Sequence, residues 1–180
     1  MSITHVVATN PVSDYELVGA GIDHLSEIHD ALLYTQLFRQ MDTVSLEILA
    51  EYLTVYKVAA GRPLLKEGET SDFSILLLSG SVEVLKKPPR QNAPRLIATV
   101  TRGKLIGEMS LVDGEPRFAS CIAGSEATFA VLSRADMLRL LDEHPKLGSL
   151  LLMQLISLLS QRLRQTSRKL VGLMASTGKG

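Results

Sequence analysis

The sequence predicts an α+β protein in which an antiparallel β-roll of jelly-roll type is flanked by N-terminal helices and a long C-terminal helix. Seven short β-prone runs, many of them separated by glycine-containing turns, fill the middle of the chain. This spacing is typical of a small antiparallel barrel or roll. Apolar residues at three- and four-residue steps on either side of the runs indicate amphipathic helices. The 180 residues suit one domain with helical additions at its ends.

The same patterns divide the chain into four segments. Residues 1–22 contain an Asn-Pro pair and two glycines, and we expect a flexible N-terminal arm there. Residues 23–54 should form N-terminal helices, the second beginning near Asp42 or Thr43. Residues 55–133 form the predicted β-roll, and residues 134–176 form the hinge and the dimer or lid helices. The β-prone runs are Val55–Val58, Pro63–Lys66, Phe73–Leu78, Val82–Leu85, Arg95–Val100, Ser120–Ala123 and Ala127–Leu132.

The C-terminal segment carries signals of two helices. Ser133 with Asp136 resembles a capping box, and Pro145 opens a longer helix that should end near Met174. Seven positions of this helix alternate in steps of four and three, which is the pattern of a coiled-coil seam: Leu152, Ile156, Leu159, Leu163, Thr166, Leu170 and Leu173. The helix is longer than a small roll can cover, so we expect its later part to form a homodimer. The alternative is that the stripe only packs on the roll.

Composition excludes several classes of function. The 19 Lys and Arg residues balance the 19 Asp and Glu residues, so no global field attracts nucleic acid, and we expect no direct nucleic-acid binding. The single cysteine, Cys121, excludes an internal disulfide and a cysteine-ligated iron–sulfur cluster. The scattered histidines predict no metal site. With no signal peptide and no membrane-spanning run, we expect a cytoplasmic protein without a membrane partner. No catalytic framework is recognisable, so we expect neither an enzyme nor a cofactor.

The segment from Gly107 to Ser120 is the most informative stretch for function. A short helix start after Gly107 would expose N–H groups to phosphate oxygens, and Arg117 could add a two-pronged contact to the same phosphate. A carboxylate at Glu108 is out of place beside inorganic phosphate, but it suits a ligand with a hydroxyl to donate. Together, Glu108 and Arg117 therefore indicate a sugar phosphate. An exposed Glu–Arg pair on a surface turn is the alternative interpretation.

This segment resembles the phosphate-binding cassette of the cyclic nucleotide-binding domain family. The matching residues are Gly107, Glu108, Leu111, Pro116, Arg117, Ala119 and Ser120, followed by Ala123. The resemblance implies a ligand site formed by Gly107, Glu108, Met109, Ser110, Arg117, Phe118, Ala119 and Ser120. Phe118 stands where relatives carry a small residue or a hydroxyl, and relatives that prefer cGMP often carry threonine. We therefore expect cAMP as the ligand, with cGMP as the alternative.

The stretch from Arg162 to Leu170 resembles the dimer helix of Crp/Fnr-type sensors, in which a Thr-Ser pair contacts the adenine. The resemblance implies that Thr166 and Ser167 contact the base, one hydroxyl reaching across from the partner subunit. No helix-turn-helix is visible after this helix. We therefore expect a receptor that signals to an unidentified effector protein by repositioning its C-terminal helix. The alternatives are a ligand-independent dimerisation scaffold and the sensor portion of a Crp/Fnr-type transcription regulator that lacks its DNA-binding domain.

Overall fold

Two antiparallel sheets form the β-roll in the computed structural model, which describes residues 15–34, 41–90 and 93–177. The strands are β1 (Glu16–Ala20), β2 (Thr54–Val58), β3 (Pro63–Leu65), β4 (Phe73–Ser79), β5 (Ser81–Lys86), β6 (Arg95–Thr101), β7 (Leu105–Ile106), β8 (Ser120–Ala123) and β9 (Ala127–Ser133). One sheet has the order β1-β2-β9-β4-β7 and the other has the order β3-β8-β5-β6. The predicted fold class is confirmed.

The helices lie at the two ends of the chain, except for one that follows β7. They are α1 (Leu25–Leu33), α2 (Thr43–Glu51), α3 (Glu108–Asp113), α4 (Arg134–Glu143) and α5 (Pro145–Thr177). The Asp42 carboxylate caps α2 by accepting a hydrogen bond from the Ser45 amide at 2.7 Å. At α4 the N-cap of the predicted capping box is confirmed, since the Ser133 hydroxyl accepts from the Asp136 amide at 3.0 Å. The Asp136 carboxylate accepts from the Ser133 hydroxyl at 2.6 Å. Such caps satisfy amides that have no partner within the helix.

Strand β4, which lies between β9 and β7, separates two hydrophobic cores. Leu76 and Leu78 face the core between the sheet and the helices, whereas Ile75 and Leu77 face the interior of the roll. This alternation follows from the two-residue period of a strand. Because both faces of β4 are covered, the strand reads in the sequence as a continuous apolar run.

The base of α5 is part of the helix-side core, but its later half is not. Leu147, Leu151 and Leu155 are buried against the sheet and the N-terminal helices. Gly148 allows this packing, since a Cβ atom there would lie 2.8 Å from the Cα of Leu141. From Gln161 onward almost every described α5 side chain is exposed. Within the described ranges, no helix has the length and apolar character needed to cross a bilayer.

The prediction of a flexible arm over residues 1–22 is wrong from Glu16 onward. Residues 16–20 form β1, which pairs with β2, and a short 3-10 helix follows at Gly21–His24. Tyr15 anchors this segment, because its ring packs edge-on against Phe129 with centroids 5.4 Å apart and its hydroxyl donates to the Leu64 carbonyl at 2.7 Å. Residues 1–14 of the predicted arm, and residues 35–40 of the predicted helical segment, lie outside the described residues.

Candidate functional site

Gly107 forms the turn that brings α3 against Arg117. Its backbone is left-handed, with φ +76°, a conformation in which glycine carries no Cβ penalty. A Cβ atom at this position would lie 2.5 Å from Nη1 of Arg117 and 3.2 Å from the Phe73 carbonyl oxygen. Backbone conformation and space therefore both require glycine here. The expected short helix start at this point is confirmed, since α3 begins at Glu108.

Arg117 is a buried cation that the surrounding backbone holds in place. Its residue surface is only 3% exposed, and its guanidinium stacks on the Phe73 ring, 4.6 Å from the ring centroid. Nε donates to the Ser71 hydroxyl at 2.5 Å, Nη1 to the Gly107 carbonyl at 2.8 Å, and Nη2 to the Phe73 carbonyl at 2.7 Å. Burial lowers the pKa of Arg117 below its usual value. The side chain nevertheless stays protonated, because arginine starts from so high a pKa.

The geometry leaves part of the Arg117 fork available to a ligand. A guanidinium has five N–H donors, and the three hydrogen bonds above use one from each nitrogen. Each terminal nitrogen therefore retains one N–H without a partner among the described residues. A desolvated guanidinium that keeps an N–H on each terminal nitrogen suits the bidentate recognition of phosphate.

Glu108 is a buried carboxylate whose counterion comes from the long helix. Its surface is 1% exposed, and Nη1 of Arg162, on α5, forms an ion pair with its Oε1. Nη2 of the same arginine donates to the Leu105 carbonyl at 2.6 Å. One α5 side chain is thus bonded to the cassette and to the strand that precedes it. Sequence reasoning did not include Arg162 in the site, and its position just before the Thr166-Ser167 pair was the available signal.

The other cassette residues predicted for the site differ in exposure. Met109 and Phe118 are exposed, and Ser110 and Ala119 are buried. The Ser120 hydroxyl accepts a hydrogen bond from the Glu67 amide at 3.0 Å. This bond gives Ser120 a structural partner, and its role toward a ligand stays a prediction.

Phe118 is covered on one face by the side chain of Lys86. Nζ of Lys86 lies 4.2 Å from the Phe118 ring centroid and donates to the Phe118 carbonyl at 2.5 Å. The same ammonium pairs with Glu67 at 2.8 Å, and hydrogen bonds from Lys86 and the Lys87 amide lower the pKa of Glu67. Lys86 is the last residue of β5. Phe118 remains 58% exposed.

Thr166 and Ser167 lie in the exposed part of α5. They follow Arg162 by about one turn of helix. Within the part of the chain that the structure describes, no hydrogen bond joins either hydroxyl to the cassette. Their predicted contact with a base therefore stays a prediction. The structure itself brings Gly107, Glu108, Arg117 and Arg162 together.

Comparison with known proteins agrees with this geometry. The family model described as "Cyclic nucleotide-binding domain" matches residues 55–144, half of the chain. A crystal structure of a cyclic nucleotide-binding domain from Methylobacillus flagellatus KT is 35% identical, with a TM-score of 0.80, over 88% of this chain and 89% of that chain. The catabolite activator protein of Thermus thermophilus is 28% identical, with a TM-score of 0.68, over 77% of this chain and 62% of that chain.

A curated relative gives the same assignment over a shorter stretch. The cAMP-dependent protein kinase regulatory subunit of Aspergillus fumigatus is 34% identical over 93 residues, which are 52% of this chain and 22% of the relative. The chain thus spans about a fifth of the length of that relative. The family model covers strands β3 to β9 and the cassette that holds Glu108 and Arg117. The chain therefore belongs to the cyclic nucleotide-binding domain family.

Proposed function

We propose that this protein is a receptor for cAMP that acts without catalysis, transmitting nucleotide binding to a partner protein through α5. One arrangement carries the proposal: the buried Arg117 fork lies beside a buried carboxylate, Glu108, whose counterion Arg162 belongs to α5. A cyclic nucleotide supplies a phosphate for the first group and a ribose hydroxyl for the second. Any rearrangement of the cassette around its ligand would therefore reach α5 through the Glu108–Arg162 ion pair.

Adenine is the base we favour. Phe118 cannot offer the hydroxyl that would bond guanine, and the part of its ring that remains exposed can pack against the face of a base. Relatives named for cAMP, among them the Aspergillus fumigatus kinase regulatory subunit, support the same choice. The Thr166 and Ser167 hydroxyls are the proposed contacts to the base.

We also propose that the receptor is a homodimer through α5. The seam positions Ile156, Leu163, Leu170 and Leu173 are all exposed, and Leu163 reaches 69%. Exposed apolar residues in a seam of alternating four- and three-residue steps are those that a second helix covers in a coiled coil. In such a pair Thr166 would lie within the interface, where a hydroxyl could reach the nucleotide of the neighbouring subunit.

Isothermal titration with cAMP, cGMP and cyclic di-GMP tests the nucleotide, on protein shown to be free of bound nucleotide. We expect micromolar or tighter binding of cAMP and weaker binding of the other two. Arg117→Ala should weaken cAMP binding by about 2–5 kcal/mol, because a buried partner of the phosphate is lost. Arg95→Ala, which removes an exposed cation of β6, is the matched control and should bind normally.

The Arg117 variant needs a check of folding, since Arg117 also bonds two backbone carbonyls. Circular dichroism of each variant separates lost binding from lost structure, and Arg117→Lys keeps the charge without the fork. Near-normal cAMP affinity in a folded Arg117→Ala variant would contradict the cassette assignment. If the wild-type protein gave no heat with any of the three nucleotides, ligand-independent dimerisation would become the leading function.

Replacing Thr166 with Val and Ser167 with Ala in one variant tests base recognition. We expect the preference for cAMP over cGMP to fall, while the phosphate contacts at Arg117 are unchanged. Unchanged discrimination would show that the base is recognised elsewhere, with Phe118 as the next residue to vary.

A further inference from the structure

Charge is distributed very unevenly between the two ends of this neutral chain. All 19 Asp and Glu residues lie at or before position 143, together with thirteen of the 19 Lys and Arg residues. Residues 1–143 therefore carry a formal charge of −6, and residues 144–180 carry +6 with no acidic residue at all. Every charged side chain of α5 is therefore a lysine or an arginine.

The cations of α5 are not equivalent in the structure. Arg162 is paired with Glu108, but Arg164, Arg168 and Lys169 are exposed in the helical stretch beyond the roll. These three residues, the distal basic segment, form no ion pair within the described part of the chain. Arg164 and Arg168 are four residues apart, and like charges at that spacing repel each other on a helix. An anionic partner would relieve this repulsion.

The distal basic segment stays accessible when α5 dimerises. At 100° per residue, Arg164 and Arg168 are about 40° apart on the helix, and their midpoint is about 130° from that of the seam residues Leu163 and Leu170. A second copy that covered the seam would therefore leave both arginines facing outward, one pair on each side of the dimer.

We propose that the distal basic segment is the docking surface for an acidic protein partner, one that presents carboxylates about one helical turn apart. This inference rests on the proposed function, because it gives the chemistry of the effector's binding surface. The partner is inferred from charge complementarity, because exposed arginines attract carboxylates. Charge pairs of this kind at the rim of an interface govern the rate of association and the register of the two surfaces.

Two other anionic partners fit this surface less well. A bilayer needs an apolar face to bury alongside the cations, and dimerisation removes the apolar face of α5. Nucleic acid would meet the −6 charge of the remainder of the chain, which repels a polyphosphate at long range. Both remain as arms of the experiment below.

The test measures binding of a fluorescent helical peptide to the full chain by anisotropy, with cAMP saturating. The peptide has about 20 residues with glutamate at every fourth position, which matches the spacing of Arg164 and Arg168. We expect binding that weakens steeply between about 50 mM and about 300 mM salt. Arg164→Glu with Arg168→Glu should weaken it on the order of tenfold or more. Arg62→Glu with Arg95→Glu changes the net charge equally at exposed sites outside α5 and should have little effect.

Duplex DNA and vesicles of phosphatidylserine and phosphatidylcholine are titrated in parallel. Equal losses in the two double variants, or no peptide binding by the wild type, would overturn the proposal. The proposal would also be overturned if the wild type bound DNA or vesicles more tightly than the peptide and the variant with Arg164→Glu and Arg168→Glu lost that DNA or vesicle binding. Titration of cAMP into the same samples distinguishes the two levels of failure: retained cAMP binding without peptide binding overturns the docking surface and leaves the receptor function standing.

Discussion

The Glu108–Arg162 pair yields a prediction about stability that needs no ligand. Arg162→Ala leaves a 1% exposed carboxylate without its counterion and removes the hydrogen bond to the Leu105 carbonyl. Breaking a fully buried pair costs about 3–5 kcal/mol, whereas an exposed pair contributes about 0–1 kcal/mol. The Arg162 side chain is 40% exposed, so the expected loss lies between these limits, at about 2 kcal/mol.

A double-mutant cycle isolates the contribution of the pair. Glu108→Gln alone should cost about 1 kcal/mol, since its arginine partner can turn to solvent. The double variant should cost less than the sum of the single variants, because an amide is less costly to bury alone than a carboxylate. We expect a coupling free energy of about 1–1.5 kcal/mol between Glu108 and Arg162.

Urea unfolding of nucleotide-free protein at pH 7 measures these free energies. The chain has no tryptophan, so far-UV circular dichroism is the suitable signal, at one fixed protein concentration because of the proposed dimer. Arg95→Ala serves as the surface control and should change the free energy of unfolding by less than about 0.5 kcal/mol. A coupling free energy below about 0.5 kcal/mol would refute the inference that the cassette and α5 are energetically linked by this pair.

Three further predictions concern single positions. Gly107→Ala should lower the free energy of unfolding by more than the about 1–2 kcal/mol of left-handed strain, because its Cβ would meet Arg117. Gly61→Ala is the control for the backbone strain alone, since Gly61 has φ +79° and open space around it. If urea unfolding showed equal losses of stability in the two glycine variants, the steric explanation would be contradicted. Burial raises the pKa of the Cys121 thiol to about 11, so at pH 8 iodoacetamide should alkylate the folded protein on the order of a hundredfold more slowly than the unfolded protein. Comparable rates would show that the thiol is accessible. Ser133→Ala should lower the free energy of unfolding by about 1 kcal/mol through loss of the α4 cap, and an unchanged urea midpoint would show that another group caps this helix.

The sequence was sufficient to predict those strands whose signal is local. Each predicted β-prone run coincides with an observed strand to within about one residue, because flanking glycine turns and apolar runs such as β4 mark them clearly. By contrast β1 escaped prediction, since four of its five residues are exposed and no alternation of burial marks it. At two residues, Leu105–Ile106 in β7 is too short for any periodicity.

The candidate site likewise contains residues that the sequence could predict and residues that it could not. Glu108 and Arg117 belong to one contiguous motif, so their juxtaposition could be predicted from spacing and resemblance. The groups that hold them could not, because Ser71 and Arg162 reach the cassette only through the closure of the roll and the angle of α5. Lys86 over Phe118 is a further case, since nothing near residue 86 in the sequence indicates an aromatic neighbour.

The exposed stretch of α5 beyond Arg162 gives the helix the properties of a lever. The helix spans 33 residues from Pro145, and at 1.5 Å per residue its far end lies about 50 Å from the turn at His144. A rotation of about 10° at that turn would move Leu151 by less than about 2 Å, a shift that a packed core can absorb, but would move the far end by about 9 Å. Arg162 would move by about 5 Å, so such a rotation also requires its ion pair with Glu108 to open. A change too small to repack the roll would thus become a displacement larger than a side chain at the tip.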